Sequence, residues 1–250
     1  MIARRPRSNE AVKPRIGVQI PCDDVVLDGE LAIPTGAHGV VVFAHGSGSS
    51  RHSPRNQFVA RIIRESGNAT LLFDLLTAKE EVEDEIMGSL RFDIGLLAGR
   101  LLDVTRWLIT KPETCALGIG YFGASTGGAA ALMSAAEAGD RIGAVVSRGG
   151  RPDLAGAALP RVVSPTLLIV GGLDDVVVRL NEEAFASLRC EKEMKIVQGA
   201  THLFEERGAL ETVAQLASGW FCKHLRHHPL AEDWRAISPQ HRESQTGTGA

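Results

Sequence analysis

No two cysteines in this chain form a C-x-x-C pair. Cys22, Cys115, Cys190 and Cys222 are scattered through 250 residues, which excludes a dense disulfide framework and a zinc knuckle and fits reduced thiols in a reducing cytosol. Long apolar runs are missing as well. No stretch approaches the roughly 18 apolar residues that a membrane-crossing helix requires. The basic N-terminus, Met1 to Ser8, is followed by Asn9, Glu10 and Lys13 rather than by the apolar segment of a signal peptide, and without that segment Arg4-Arg5 is no twin-arginine export signal. Nor is there a large excess of charge of one sign. The formal net charge of -3 gives no broad electrostatic reason to bind nucleic acid or acidic membranes. These absences predict a soluble, cytoplasmic protein with neither nucleic acid nor membrane as a partner.

Histidines do gather near the C-terminus, at His224, His227 and His228, where the chain turns polar. They read as the edge of a solvated tail, so neither a metal nor a cofactor is expected. Residues 1–14 and 226–250 carry too few apolar groups to offset the entropy of ordering and are expected to be flexible polar tails.

Between those ends, short Val/Ile/Leu-rich runs alternate with helical patterns. Candidate strands lie at 15–20, 27–33, 40–44, 69–73, 116–122, 144–147, 166–170 and 195–197. Candidate helices lie at 54–66, 89–110, 126–138, 181–188 and 209–225. Runs such as Val40-Val41-Val42-Phe43 and Leu167-Leu168-Ile169-Val170 are apolar at consecutive positions, the mark of strands covered on both faces in a parallel sheet. The first two strands lack an intervening helix and read as an antiparallel hairpin at one edge. Residues 15–225 are therefore expected to form a single α/β domain: a mostly parallel sheet of about eight strands with helices on both faces. The interval between the strands at 144–147 and 166–170 is too short for a lid domain, which implies an open site.

Gly123-Ala124-Ser125-Thr126-Gly127 follows the strand at 116–122 and precedes an alanine-rich helix. This G-x-S-x-G pattern describes a turn so tight that glycine is needed on either side, leaving the serine hydroxyl exposed at a helix N-terminus. Functional groups in an open parallel sheet gather where strands end. Ser125 passes that test, as do Asp174 and Asp175 after the strand at 166–170, and His202 after the strand at 195–197. Each has an ordinary alternative. Ser125 would serve as a helix cap, Asp174 as a turn former with a local side-chain bond, and His202 as a hydrogen-bonded turn residue. These alternatives are plausible singly and weak jointly.

The order Ser, Asp, His, together with His45-Gly46-Ser47-Gly48 after the third strand, the Gly-x-x-Asp turn ending at Asp174 and the Gly-Ala-Thr-His turn ending at His202, resembles the dienelactone hydrolase-like branch of the α/β-hydrolase superfamily. The resemblance spans residues 27–225. It implies an α/β-hydrolase fold and a small ester, thioester or lactone as substrate. In that scheme Ser125 is the nucleophile, His202 its general base and then general acid, and Asp174 the group that orients His202. The Gly-x-x-Asp spacing favours Asp174 over Asp175. Two backbone N–H groups, of Ser47 and Thr126, would bind the oxyanion. His45 would shape the oxyanion loop without acting as the base. One departure stands out: dienelactone hydrolase itself carries cysteine at the elbow, where this chain has Ser125.

Arginines also follow strand ends. Arg51, Arg55 and Arg148 are candidate substrate-binding residues for a carboxylate or phosphate, since guanidinium pairs bidentately with such groups. The competing reading pairs Arg51, Arg55, Arg148 and Arg151 with Asp74, Glu205 or Asp153, with Arg148 and Arg151 leaning toward that structural role. The acidic run Glu80 to Glu85 reads as a solvated loop. Two other functions remain in play. Gly118-x-Gly120-x-x-Gly123 matches a dinucleotide fingerprint, with Arg148 available for a 2′-phosphate, which would suit an NADP-dependent reductase. That fingerprint belongs in the turn after a strand, whereas here it reads as the strand itself. A catalytically silent binding protein on the same fold is the third possibility.

Overall fold

The computed structural model describes residues 15–225. The polar ends expected as tails, with His227 and His228, lie outside the described residues. Eight strands form one sheet in the order β1-β2-β4-β3-β5-β6-β7-β8. They are β1 (Ile16–Cys22), β2 (Val25–Ala32), β3 (Gly39–Ala44), β4 (Ala69–Phe73), β5 (Gly118–Ala124), β6 (Ile142–Arg148), β7 (Thr166–Gly171) and β8 (Lys192–Val197). The expected hairpin, β1 with β2, occupies one edge. β2 pairs antiparallel with β4, and from β4 to β8 every pairing is parallel.

Six helices cover the two faces: α1 (Pro54–Glu65), α2 (Ala78–Met87), α3 (Ile94–Thr110), α4 (Thr126–Ala138), α5 (Asp175–Ser187) and α6 (Ala209–Leu225). The alternation of side chains along the buried strands divides the interior in two. Val40, Val42 and Tyr121 pack with α3 and α4, while Val41, Phe43 and Phe122 pack with α1 and α6. This division is why strands such as β3 are apolar at every position. The lone tyrosine lies deep in the first core, where its hydroxyl accepts from Ser134 Oγ at 3.2 Å and donates to Thr105 Oγ1 at 2.5 Å, the Thr105 proton going to the Leu101 carbonyl. Burial raises its pKa to about 12.

The strand order places the site. From β3 the chain crosses to β4 on one side and then returns to β5 on the other, so the loops leaving β3 and β5 diverge and open a crevice between them. The β3 loop carries His45 to Ser53, and the turn after β5 carries Ser125.

The structure corrects the expected acidic loop at Glu80 to Glu85, which is helical and forms most of α2. Thr77 Oγ1 accepts from the Glu80 N–H at 3.2 Å while the Glu80 carboxylate accepts from the Thr77 N–H at 2.8 Å, a reciprocal cap that nucleates the helix. Its acidic residues are not simply solvated. The Glu80 carboxylate pairs with Arg100, and Asp84 is buried against Arg91. Element starts also differ. α3 begins at Ile94, where Asp93 Oδ1 caps the Leu96 N–H at 2.9 Å, rather than at 89. α5 starts directly after Asp174, before the expected 181, because Val176-Val177-Val178 is absorbed into its first turn.

Candidate active site

Ser125 joins β5 to α4 with φ 51° and ψ −121°, a conformation that non-glycine residues rarely hold. The surroundings impose it. A Cβ at Gly123 would lie 2.4 Å from the Gly127 carbonyl oxygen, and one at Gly127 would lie 2.2 Å from the Ala44 carbonyl oxygen. Only glycine lets β5, α4 and β3 approach so closely. The Ser125 N–H donates to the Arg148 carbonyl at 3.3 Å, and its own carbonyl accepts from the Arg151 N–H at 3.1 Å. From Gly118 to Leu132 every residue is buried except Ser125. Its side chain makes no capping bond to α4, so the hydroxyl does not serve as a helix cap.

The same holds for Asp174. It sits at the N-cap of α5, yet its carboxylate makes no cap bond and instead accepts from His202 Nδ1 at 2.7 Å. Forgoing a cap sacrifices about 0.5–2 kcal/mol of helix stability. Asp175, one residue on, is exposed. With Nδ1–H bonded to Asp174, Nε2 of His202 is the free acceptor nitrogen. Among the described residues neither that nitrogen nor the Ser125 hydroxyl has a hydrogen-bond partner. Both lie beside the segment after β6. Ser125 is bonded to it through Arg148 and Arg151, and a Cβ at Gly149 would lie 3.6 Å from His202 Cε1. Asn181, buried on α5, steadies this segment by donating to the Gly150 carbonyl at 3.0 Å, a role that no local pattern announced.

His45 has both ring nitrogens committed. Nδ1 donates to the Gly46 carbonyl at 3.0 Å and Nε2 accepts from the Leu75 N–H at 3.0 Å. Burial, the dominant cause, pushes its pKa below the ordinary histidine value, keeping the ring neutral. It ties the β3 loop to the segment after β4. The Ser47 N–H, beside it, donates to Thr126 Oγ1 at 3.0 Å. Thr126 is the first residue of α4, where a backbone N–H has no partner within the helix. A cavity of about 500 Å³ opens beside Thr126, bounded by the loop from His45 to Ser50 on one side and by Glu81, Glu85 and Arg91 on the other. The α2 wall is the part of the site that sequence reading missed, although Thr77-x-x-Glu80 was the signal for its helix.

The arginines separate. Arg51 pairs with Asp74, Arg55 Nη1 lies 3.0 Å from Glu205 Oε1, and Arg151 grips Asp153 with two bonds of 2.8 and 2.9 Å. Arg148 differs from all three. It is 7 % exposed and, among the described residues, has no carboxylate partner and holds a buried Nε with no acceptor. Its guanidinium lies over the Phe204 ring at 5.7 Å. Burial, with a smaller contribution from nearby Arg55, brings its pKa down to about 10.

The glycines of the apparent dinucleotide fingerprint are accounted for by packing. Gly118 and Gly120 lie inside β5, and a Cβ at Gly120 would come within 2.8 Å of the Phe221 ring. No metal cluster of three or more His, Cys, Asp or Glu side chains occurs among the described residues.

Similarity to known proteins agrees with this fold. The model of the dienelactone hydrolase family matches residues 27–220. A solved dienelactone hydrolase from Anabaena variabilis is 57 % identical, with a TM-score of 0.84 over 85 % of this chain and 99 % of that one. Est1E from Butyrivibrio proteoclasticus shares the fold at 16 % identity and a TM-score of 0.69, over 83 % of this chain and 98 % of that one. Two strains of Mycobacterium tuberculosis have a relative that is 56 % identical over 208 residues and named, provisionally, a phosphoribosyl transferase. That match takes in 83 % of this chain and 46 % of the relative, so the chain spans about half the length of these curated relatives. The chain belongs to the dienelactone hydrolase family and has the α/β-hydrolase fold.

Proposed function

We propose that this chain is a serine hydrolase that cleaves a small carboxylic ester, thioester or lactone through an acyl-enzyme on Ser125. The observation that carries the reading is the 2.7 Å bond between His202 Nδ1 and Asp174, formed by an aspartate that leaves its own helix uncapped. An imidazole fixed in that tautomer presents Nε2 as a base. His202 takes the Ser125 proton as the hydroxyl oxygen attacks the acyl carbon, then returns it to the departing alcohol or thiol. Water repeats the sequence in reverse to free the acid. Hydrogen bonds between such groups are often long without substrate and tighten when it binds.

Charge that develops on the carbonyl oxygen needs fixed donors. The N–H of Thr126 is assigned that role, helped by the positive end of α4; the Ser47 N–H, expected beside it, is bonded to Thr126 Oγ1. Of Arg51, Arg55, Arg148 and Arg151, only Arg148 has no carboxylate partner among the described residues, and we assign it to an acidic group on the substrate. Hydrolysis is favoured over acyl transfer because a site without a lid domain admits water. The transferase name belongs to proteins about twice as long and is not carried over to this chain.

A reductase reading loses its support, since its glycines lie inside β5 rather than in the turn after it. A panel of chromogenic esters graded in chain length and charge tests the proposal. Turnover by the parent, with a loss of at least roughly 10³-fold in Ser125→Ala, is expected. Equal turnover by both proteins would contradict it.

A further inference from the structure

We propose that the Thr126 hydroxyl is a direct donor to the oxyanion, with its oxygen held in place by the Ser47 N–H. The inference rests on the acyl-enzyme reading above and adds a catalytic side chain to it. Three observations carry it. The Ser47 N–H, which the loop pattern assigns to the substrate oxygen, already has an acceptor in Thr126 Oγ1 at 3.0 Å. Thr126 is 4 % exposed and lines the cavity with Gly46, Ser47 and Gly48. A threonine hydroxyl has one proton to give, and among the described residues that of Thr126 reaches no acceptor.

A buried hydroxyl proton with no acceptor is unfavourable unless something arrives to take it. In this place the arriving group is the carbonyl oxygen of an acyl group bound to the neighbouring residue, Ser125. Thr126 offers that oxygen two donors from one residue, its backbone N–H at the start of α4 and its side-chain O–H. The Ser47 N–H, by donating into the same hydroxyl oxygen, orients the O–H and strengthens it as a donor. Ser47 thereby becomes a positioning group and Thr126 the catalytic one. No bond other than hydrogen bonds is made or broken at Thr126, and its proton stays on its own oxygen throughout.

Thr126→Val removes the hydroxyl at nearly constant shape, and Thr126→Ser keeps it. Each is compared with the parent on p-nitrophenyl butyrate and on the corresponding thionoester, whose sulfur accepts hydrogen bonds poorly. The expected result is a kcat for Thr126→Val lower by roughly 10²-fold, KM within about threefold, and Thr126→Ser within about fivefold of the parent. The preference for ester over thionoester should fall with kcat in the valine variant, a change that a purely structural defect would not produce. Thr126→Ala, checked for a parental melting temperature, gives the same comparison should the valine variant fold poorly. Parental or faster turnover without the hydroxyl would overturn the proposal, the faster case by making Thr126 a plug. Equal losses on ester and thionoester would overturn it too. Fluorophosphonate labelling of the parent separates the two levels. A parent that labels at Ser125 while Thr126→Val keeps full rate sinks only this inference, whereas a parent that does not label sinks the underlying reading.

Discussion

His202 Nδ1 lies 2.7 Å from Asp174 Oδ2, across 28 positions of sequence. Asp175, its neighbour, is exposed and heads the first turn of α5. Asp174→Asn should therefore lower kcat on a chromogenic ester by roughly 10³–10⁴-fold, because an amide favours the wrong imidazole tautomer. Asp175→Asn should stay within about threefold of the parent. Steady-state kinetics on both variants checks the pair, and the reverse order would move the role to Asp175.

Strain at the elbow gives a prediction about stability. At φ 51° and ψ −121°, Ser125 holds a conformation that costs about 1–3 kcal/mol for a residue with a Cβ. Ser125→Gly should be more stable than Ser125→Ala by about 1–2 kcal/mol in urea unfolding, with both inactive. Equal midpoints would mean that the turn is not strained.

His45 sets a pH dependence of folding. Its folded pKa lies below the ordinary 6.5 through burial, so the unfolded chain binds more protons between that lowered value and 6.5. Stability that is complete above pH 6.5 is thus lost as pH falls through this window. His45→Asn, which gives up the bonds to Gly46 and Leu75, should destabilise the protein by about 1–3 kcal/mol at pH 7.5. The gap should narrow below pH 6.5, as only the parent loses this contribution. His224, also held low chiefly by burial, adds the same slope to both proteins and cancels. Urea midpoints from pH 5 to 8 check the sign.

Arg148 ties stability to substrate choice. A buried guanidinium without a counter-ion is unfavourable, so Arg148→Met should raise stability by about 1 kcal/mol. The same change should lower kcat/KM for a carboxylated ester at least tenfold more than for its neutral analogue. Equal effects on the two esters would confine Arg148 to packing against Phe204.

Much of this architecture was legible from periodicity. β4, α4 and α6 begin and end where the apolar pattern predicts, and the strand-end positions of Ser125, Asp174 and His202 follow from where the runs stop. What escaped depends on contacts between distant segments. The helix α2 is mostly charged, and its amphipathic pattern is hidden because Glu80 and Asp84 turn inward to Arg100 and Arg91 rather than to water. The capping pair Thr77 and Glu80 was the only local clue. Arg148 looked like its neighbour Arg151, and only the fold shows that Asp153 reaches one of them. The bond from Ser47 to Thr126 spans 79 positions and has no sequence signature at all.

The central claim is that Ser125 is a nucleophile, and intact-mass analysis after reaction with a fluorophosphonate probe tests it most directly. The account predicts one adduct per chain, mapped by peptide sequencing to Ser125 and lost in Ser125→Ala. An unlabelled parent, or an adduct that persists in Ser125→Ala, would contradict it.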